Sequence, residues 1–219
     1  MVLDIKICGL KTPEAMDAAL LGDASHVGFI FFPKSPRNVS PADAASLRKA
    51  ALGRALAVAV TVDADDAFLD DIVTIMQPDM LQLHGKETPE RVAALKARFG
   101  LPVMKALSVS AAADLARIDA YRGVADKFLL DAKPPAGSEL PGGNGVSFDW
   151  TILAALGPDV DYMLSGGLSA ANVAEALRIA GPPGIDVSSG VESAPGVKSV
   201  ALIDGFFAAI DAVQARNAA

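Results

Sequence analysis

Apolar runs typical of β-strands alternate along the chain with segments that carry helix-start signals. Thr12-Pro13, Ser40-Pro41 and Thr88-Pro89 each place a hydroxyl side chain before a proline. These are favoured residues for an N-cap and for the first helical position. The pattern predicts strands at Ile5–Cys8, His26–Phe31, Leu56–Thr61, Met80–Leu83, Val103–Leu107, Lys127–Leu130, Tyr162–Leu164 and Ile185–Val187. It predicts helices at Thr12–Leu21, Ala42–Ala51, Ala64–Met76, Ala111–Tyr121, Trp150–Leu156, Asn172–Ala180 and Val200–Ala215, with one more opened by Thr88-Pro89-Glu90.

The order of these elements predicts the fold class. Alternating strand and helix units favour a parallel sheet with right-handed crossovers. Eight such units in 219 residues predict a single (β/α)8 barrel that spans residues 1–219. A doubly wound open sheet is the alternative. No G-x-G-x-x-G sequence follows the first strand, which argues against a dinucleotide site.

Composition narrows the partners and the compartment. Hydrophobic residues make up 52% of the chain and charged residues 21%, with a net charge of −7, which is typical of a globular protein that does not bind nucleic acid. We find no leader pattern and no apolar run of ~18 residues, so we expect no membrane association. The single cysteine fits a cytoplasmic protein. With only Cys8, His26 and His84 as soft ligands, we expect no zinc or other metal site.

Two glycine-containing loops follow the last two predicted strands. They are Ser165-Gly166-Gly167-Leu168 and Ser188-Ser189-Gly190-Val191-Glu192. Glycine lets backbone N–H groups approach an oxyanion closely, and the loops after strands seven and eight form the recurrent phosphate site of this fold. Ordinary turns are the alternative. We therefore expect a phosphorylated small-molecule ligand, bound by Gly166, Gly167, Ser188, Ser189 and Gly190.

Two side chains at strand ends are candidates for acid and base chemistry. Cys8 ends the first predicted strand and Asp131 ends the sixth, at the edge where parallel barrels carry their active sites. Cys8 is otherwise a small buried apolar residue, and Asp131 otherwise caps a helix or pairs with Lys133. The loop Ala132–Ser147 is long and rich in glycine and proline, so it is either a lid that excludes water or a flexible insertion.

Further polar residues lie near the same edge. Arg37, at the top of strand two, is a natural partner for a carboxylate, although arginines on loops are more often solvated. His84 is either a polar contact in the barrel mouth or a structural turn residue. Asp186 either orients a substrate hydroxyl or caps a turn. His26 begins its strand at the opposite end, and we interpret it as structural.

Several short blocks, taken together and in order, resemble the phosphoribosylanthranilate isomerases of tryptophan biosynthesis. The blocks are Ile5-Lys6-Ile7-Cys8-Gly9-Leu10, Lys34-Ser35-Pro36-Arg37, Leu81-Gln82-Leu83-His84-Gly85, Leu130-Asp131, Gly143-Asn144-Gly145, Phe148-Asp149-Trp150, Leu164-Ser165-Gly166-Gly167-Leu168, Asp186-Val187-Ser188-Ser189-Gly190-Val191-Glu192, Pro195-Gly196 and Lys198. The resemblance implies a (β/α)8 barrel, no cofactor and an Amadori rearrangement. It places the general base on Cys8, the general acid on Asp131 and the contact to the anthranilate carboxylate on Arg37.

The implied chemistry suits these residue types. Asp131 can protonate the ribose ring oxygen if the barrel mouth keeps its carboxyl protonated. Cys8 can then remove the proton from C2′ as a thiolate, because a free cysteine with a pKa of ~8.5 needs only a modest lowering to ionise near neutrality.

Two other functions compete with this one. An indole-glycerol-phosphate synthase, or another phosphorylated-sugar barrel, requires a catalytic lysine at a strand end. Lys6 alternates away from the neighbours of Cys8 on its strand. Lys105 remains a candidate for the catalytic lysine. A barrel that only binds a phosphorylated ligand would need neither Cys8 nor Asp131. The sequence leaves a monomer and a homodimer equally open.

Overall fold

Eight parallel strands close into a barrel in the order in which they occur along the chain. The computed structural model describes residues 3–138 and 140–218. The (β/α)8 prediction is confirmed, and the open-sheet alternative is wrong because β1 pairs with both β2 and β8. The strands are β1 (Asp4–Cys8), β2 (His26–Phe31), β3 (Leu56–Thr61), β4 (Met80–Leu83), β5 (Val103–Val109), β6 (Lys127–Ala132), β7 (Tyr162–Leu164) and β8 (Gly184–Val187).

Helices cover the outside of the barrel. They are α1 (Pro13–Leu21), α2 (Pro41–Ala51), α3 (Asp66–Met76), α4 (Pro89–Phe99), α5 (Arg117–Tyr121), α6 (Val173–Ala180) and α7 (Val200–Ala218). Short 3₁₀ helices occupy Ala112–Ala116, Trp150–Ala155 and Ser189–Val191. None of the described helices is both long enough and apolar enough to cross a lipid bilayer.

The N-caps expected from the sequence form as predicted. The hydroxyls of Thr12, Ser40 and Thr88 each accept a hydrogen bond from the backbone N–H three residues further on. Because each bond satisfies one of the unpaired donors in the first helical turn, it stabilises the helix by ~1 kcal/mol. These caps start α1, α2 and α4 directly after the strand-to-helix loops that surround the barrel mouth.

Four local details differ from the sequence prediction. The predicted helix at Trp150–Leu156 is a 3₁₀ helix, and most of the first half of the predicted helix at Ala111–Tyr121 is also 3₁₀. Strand β6 continues through Asp131 to Ala132. A small antiparallel hairpin, β9 (Glu192–Ala194) with β10 (Val197–Lys198), follows β8 and was not predicted. Its strands are too short to show the alternation that marks a strand in sequence.

Alternation along the strands decides which side chains enter the barrel. In β1, Ile5 and Ile7 point outward into the large core between barrel and helices, whereas Cys8 belongs to the inner apolar cluster. In β6, Phe128 and Leu130 point outward and Leu129 inward. Successive residues face opposite sides of a strand, so Asp131 also points into the barrel.

His26 lies at the amino end of the barrel, as expected. Its Nδ1 is 2.8 Å from the Ser25 hydroxyl, and the side chain is buried at the start of β2. Burial lowers the pKa of His26 to about 4, so the imidazole is neutral at pH 7. Its place at the amino end of β2, away from the mouth of the barrel, supports a structural role.

Candidate active site

A cavity of about 670 Å³, measured out to its open side, lies at the carboxyl ends of the barrel strands. This is the usual place for small-molecule sites in this fold. The cavity wall contains the sequence candidates Cys8, Arg37, His84, Asp131, Gly166, Gly167, Asp186, Ser188 and Ser189. Residues from segments far apart in the sequence therefore meet at one place.

Cys8 is the last residue of β1, and its side chain is 5% exposed. Burial raises the pKa of the Cys8 thiol above its usual value. The ammonium groups of Lys6 and Lys198 act in the opposite direction, and the Asp186 carboxylate adds to the rise. The sequence argument expected a modest lowering; the shift is upward because desolvation of the thiolate outweighs the attraction of the two cations.

Asp131 enters the cavity from β6, three strands away from Cys8 through β7 and β8. Its carboxyl group is buried, with Oδ2 at 3.3 Å from Nε2 of His84. Nδ1 of His84 is in turn 3.0 Å from the side-chain amide of Gln82 on β4. The imidazole therefore holds the Asp131 carboxyl from one side, in the barrel mouth, which favours the polar-contact interpretation of His84 over the structural one.

Residues 140–143 of the loop after β6 lie at the mouth of the barrel. A Cβ on Gly142 would lie 2.5 Å from Asp131 Oδ2 and 2.9 Å from His84 Nε2. A Cβ on Gly143 would lie 2.6 Å from Nη1 of Arg37. Glycine is therefore required at both positions if the backbone is to approach these groups so closely. Gly142 and Gly143 therefore pack directly against polar side chains of the cavity wall.

The glycine loops after β7 and β8 lie side by side. Gly166, Gly167, Ser188 and Ser189 line the cavity, whereas Gly190 lies behind them against Leu168. Gly166 and Gly167 both have positive φ values, +90° and +64°, which glycine adopts without steric cost. Gly190 packs against the Leu168 carbonyl, so a side chain there would overlap that oxygen. Within residues 3–138 and 140–218, the backbone N–H groups of Gly166, Gly167, Ser189 and Gly190 donate to no acceptor. Unpaired amides of this kind can bind an oxyanion.

Ser188 lies at the same wall, but its side chain is used internally. Its hydroxyl donates to the backbone carbonyl of Cys8 at 3.1 Å, and its own carbonyl accepts from Lys198 at 2.8 Å. The hydroxyl of Ser188 therefore ties the loop after β8 to the end of β1.

Arg37 lies in the mouth and is held by a carboxylate of the protein itself. Its Nε and Nη2 donate to both oxygens of Glu192, at 2.7 and 2.9 Å. Burial alone would raise the pKa of Glu192, but Arg37 and Lys198 hold it below its usual value. The ion pair leaves Nη1 without a hydrogen-bond acceptor in the described part of the chain. The guanidinium is thus fixed in orientation and retains one N–H edge beside Gly143.

Asp186 points into the barrel, where both of its oxygens have partners. Oδ1 accepts from Lys6 Nζ at 2.8 Å, and Oδ2 accepts from the Ser165 hydroxyl at 3.0 Å. Lys6 and Cys8 are two positions apart on β1 and share its inner face. The sequence analysis used alternation along β1 to separate Lys6 from the site. That use of alternation was wrong, because Lys6 and Cys8 lie on the same face of the strand.

Lys105 lies on the outer face of β5, since its neighbours Met104 and Ala106 belong to the inner cluster. Its Nζ donates to Glu87 at 2.8 Å and to the carbonyls of Leu83 and Gly85. It is absent from the cavity wall. The lysine that an indole-glycerol-phosphate synthase would need at a strand end is therefore not supplied by Lys105.

Four residues near the cavity were not singled out from the sequence: Gln82, Ser165, Glu192 and Lys198. All four lie within the motif blocks, but a motif does not say which of its side chains are buried together. For Gln82, the alternation Gln82-Leu83-His84 does place two polar side chains on one face and could have identified it. The hairpin β9–β10 brings Glu192 to Arg37 and Lys198 to Glu192. Among the described residues, no group of three acidic, histidine or cysteine side chains could hold a metal ion.

Fold and site together define an enzyme of the (β/α)8 class, with a thiol and a carboxyl group in a cavity bordered by oxyanion-binding loops. Comparison with known proteins identifies the family. The model for N-(5′-phosphoribosyl)anthranilate isomerase matches residues 5–209. The chain belongs to this family.

Relatives and solved structures agree with this membership. The N-(5′-phosphoribosyl)anthranilate isomerase of Mesorhizobium japonicum is 72% identical over 219 residues and covers 100% of both chains. The crystal structure of the Thermotoga maritima isomerase is 33% identical with a TM-score of 0.85, covering 98% of this chain and 100% of that one. A further isomerase structure, in complex with reduced 1-(o-carboxyphenylamino)-1-deoxyribulose 5-phosphate, is 31% identical with a TM-score of 0.83, covering 96% and 100%.

Proposed function

We propose that Cys8 and Asp131 are the general base and the general acid of the isomerisation that this chain catalyses. The reaction converts N-(5′-phosphoribosyl)anthranilate to 1-(2-carboxyphenylamino)-1-deoxyribulose 5-phosphate in tryptophan biosynthesis. The observation that carries the proposal is the entry of one thiol and one carboxyl group into the same cavity from strands three apart. A substrate between them can be protonated from one side and deprotonated from another.

The first step opens the ribose ring. The Asp131 carboxyl donates its proton to the ring oxygen, and the C1′–O bond breaks. The nitrogen lone pair forms a C=N bond at C1′, which leaves a protonated Schiff base. His84 supports this step by holding the Asp131 carboxyl at 3.3 Å.

The second step moves a proton from carbon. The Cys8 thiolate removes the proton from C2′, the electron pair forms the C1′=C2′ bond, and the Schiff-base nitrogen becomes neutral. The resulting enolamine loses the proton of its C2′ hydroxyl and gains one at C1′, which gives the ketone. The proton on Cys8 then returns, through solvent, to the Asp131 carboxylate. These steps move only protons and electron pairs between the substrate, Cys8, Asp131 and solvent.

The experiment that tests these roles is an assay of turnover with synthetic N-(5′-phosphoribosyl)anthranilate. Turnover is followed as the loss of the fluorescence of this substrate. We expect saturable turnover by the wild type and its near loss in variants of either residue, as argued in the Discussion. A barrel that only bound the phosphorylated ligand would show affinity without turnover in every variant.

Arg37 is proposed to bind the anthranilate carboxylate, and Arg37→Ala is expected to raise KM about 10- to 100-fold with a smaller effect on kcat. The reason is that hydrogen bonds to a charged group contribute roughly 1.5–3 kcal/mol, and a clamp that holds ground state and transition state alike affects binding. Steady-state kinetics on the full substrate measure the effect.

A product analogue without the carboxylate is the matched control for Arg37→Ala. Wild type and variant should bind it equally, because the Arg37 clamp has no group to hold. Glu192 keeps Lys198 as a partner in the variant, at 2.9 Å, so the hairpin retains one ion pair. An unchanged KM for the full substrate would remove Arg37 from substrate binding.

The glycine loops are proposed to bind the phosphate of the substrate through backbone N–H groups. We expect phosphate, in crystals grown with it, to lie within hydrogen-bond distance of the amides of Gly166, Gly167, Ser189 and Gly190. In solution, inorganic phosphate should inhibit competitively, whereas sodium chloride at the same ionic strength should not. Water alone at these amides in a phosphate-soaked crystal would contradict the assignment.

Asp186 is assigned a smaller part than the two catalytic residues. Its carboxylate reaches the cavity wall, but Lys6 and Ser165 already hold both oxygens. We propose that it contacts a substrate hydroxyl only at this edge.

All the proposed site residues come from one chain, so a monomer and a homodimer would each contain a complete site. We propose the cytoplasm as the compartment, because a chain whose single cysteine is free fits a reducing environment.

A further inference from the structure

A fully buried lysine lies inside the barrel directly below the active-site cavity. Lys6 is 0% exposed, and its Nζ donates to Asp186 at 2.8 Å. The surrounding interior is apolar, with Val58, Met80 and Leu129 among its members. Burying a charged pair in such surroundings costs several kcal/mol in desolvation, and apolar residues of similar size would stabilise the barrel as well or better. The fold alone therefore gives no reason for this ammonium group.

The ammonium group lies beside the thiol of Cys8. Both side chains project from β1 into the barrel, and both cross the face of Gly28 on the neighbouring strand, which is in register with Cys8. A Cβ on Gly28 would lie 2.9 Å from Cys8 Sγ and 3.1 Å from Lys6 Nζ. The two groups thus share the space that the missing side chain of Gly28 leaves open.

The charges around Cys8 differ in their effects. Lys6 from β1 and Lys198 from β10 favour the thiolate, and Asp186 from β8 disfavours it. Of these three, Lys6 has the largest influence. His26, in register with Lys6 on β2, is neutral at pH 7. Opposite charges attract most strongly at short distance in a low-dielectric interior, so the nearest cation dominates.

Asp186 keeps Lys6 charged. Burial alone would lower the pKa of Lys6, but the Asp186 carboxylate, with help from Cys8, raises it above its usual value. The second oxygen of Asp186 is fixed by the Ser165 hydroxyl at 3.0 Å. The ammonium group is therefore both protonated and held in one place throughout the working pH range.

We propose that Lys6, held by Asp186, is a positioning residue that stabilises the Cys8 thiolate from inside the barrel, on the side away from the substrate. The inference rests on the proposed role of Cys8 as the general base. It explains how a thiol that burial holds protonated still reaches its reactive form. Lys6 itself touches no reacting atom, because Cys8 lies between it and the cavity.

The test titrates the thiol directly. Cys8 is the only cysteine, so the ultraviolet absorbance of the thiolate, taken as wild type minus Cys8→Ala, reports this group alone. In Lys6→Met we expect the titration to move to higher pH by at least about one unit, which means about tenfold less thiolate at a given pH. The kcat/KM pH profile should move in the same direction.

Two further variants separate charge from structure. Lys6→Met/Asp186→Asn removes both charges and leaves no unpaired carboxylate; it should titrate between wild type and Lys6→Met, since Lys6 outweighs Asp186. Lys105→Met removes a lysine that is equally buried and ion-paired, but on the outer face of β5. It should leave the thiol titration unchanged even if it lowers the melting temperature.

Three outcomes decide the matter. A wild-type thiol titration in the double variant, or in a folded Lys6→Met, overturns the role of Lys6. A shift in Lys105→Met as large as that in Lys6→Met also overturns it, since the effect would then follow from lost stability. Substantial turnover by Cys8→Ala instead overturns the proposed function, whatever the titrations show.

Discussion

Cys8→Ala lowers kcat by about 10²- to 10⁴-fold, the expected loss for removal of a general base. The physical reason is that Sγ is the group proposed to accept the C2′ proton, and the methyl group of alanine cannot accept a proton. Only one sulfur atom leaves the inner cluster, so the variant should fold. Fluorescence-based turnover measures the loss, and circular dichroism with thermal melting checks the fold.

Cys8→Ser is the matched variant, because it keeps the size of the side chain but replaces the thiol with a far weaker acid. Its turnover should be as low as that of Cys8→Ala. Iodoacetamide should inactivate only the wild type, and a bound product analogue should protect against it. Turnover close to wild type in either variant would remove Cys8 from the mechanism.

The pH dependence follows from the direction of the Cys8 shift. Burial raises the pKa of the free thiol, so the thiolate forms on the alkaline side of the ~8.5 of an ordinary cysteine. Activity that depends on the thiolate therefore falls as pH drops below that pKa. Asp131 must be protonated in the same complex, so we expect kcat/KM to be bell-shaped. The fall on the acid side of the pH profile belongs to the Cys8 thiol. The residual activity of Cys8→Ser should therefore lack this fall.

Asp131→Asn is expected to lower kcat about 10²- to 10⁴-fold while the affinity for a product analogue stays within a few-fold of wild type. The amide keeps the shape of the carboxyl group and can still contact His84, but it has no proton to release to the ring oxygen. Ring opening should become rate-limiting. Measurement of kcat together with analogue binding separates lost chemistry from lost binding.

Asp161→Asn is the control for this substitution. Asp161 lies next to the start of β7, at the amino end of the barrel, where it pairs with Lys127 at 2.7 Å. Its loss should leave kcat unchanged. If Asp131→Asn also keeps a wild-type kcat, Asp131 is only a partner of His84, and Asp186 is the next candidate for the acid.

The sequence by itself determined the order of the elements and the places where the chemistry lies. Caps such as Thr12-Pro13 act within a single turn, and alternation along a strand shows which side chains share a face. For both reasons the eight units and the strand-end positions of Cys8 and Asp131 were readable without coordinates. The family resemblance then supplied their proposed roles, which residue patterns alone left open between catalysis and structure.

Only the tertiary structure decided which partners these residues have. Arg37 meets Glu192 across 155 positions of the chain, and Lys6 meets Asp186 across 180. Such pairs depend on the closure of the barrel and on the hairpin after β8, and no local pattern encodes them. The direction of the Cys8 pKa shift is also decided by the tertiary structure, because desolvation and charge act through space. Lys6 and Lys105 look alike in sequence, since each lies within an apolar strand. The pleat of each strand places Lys6 inside the barrel and Lys105 on its outer face.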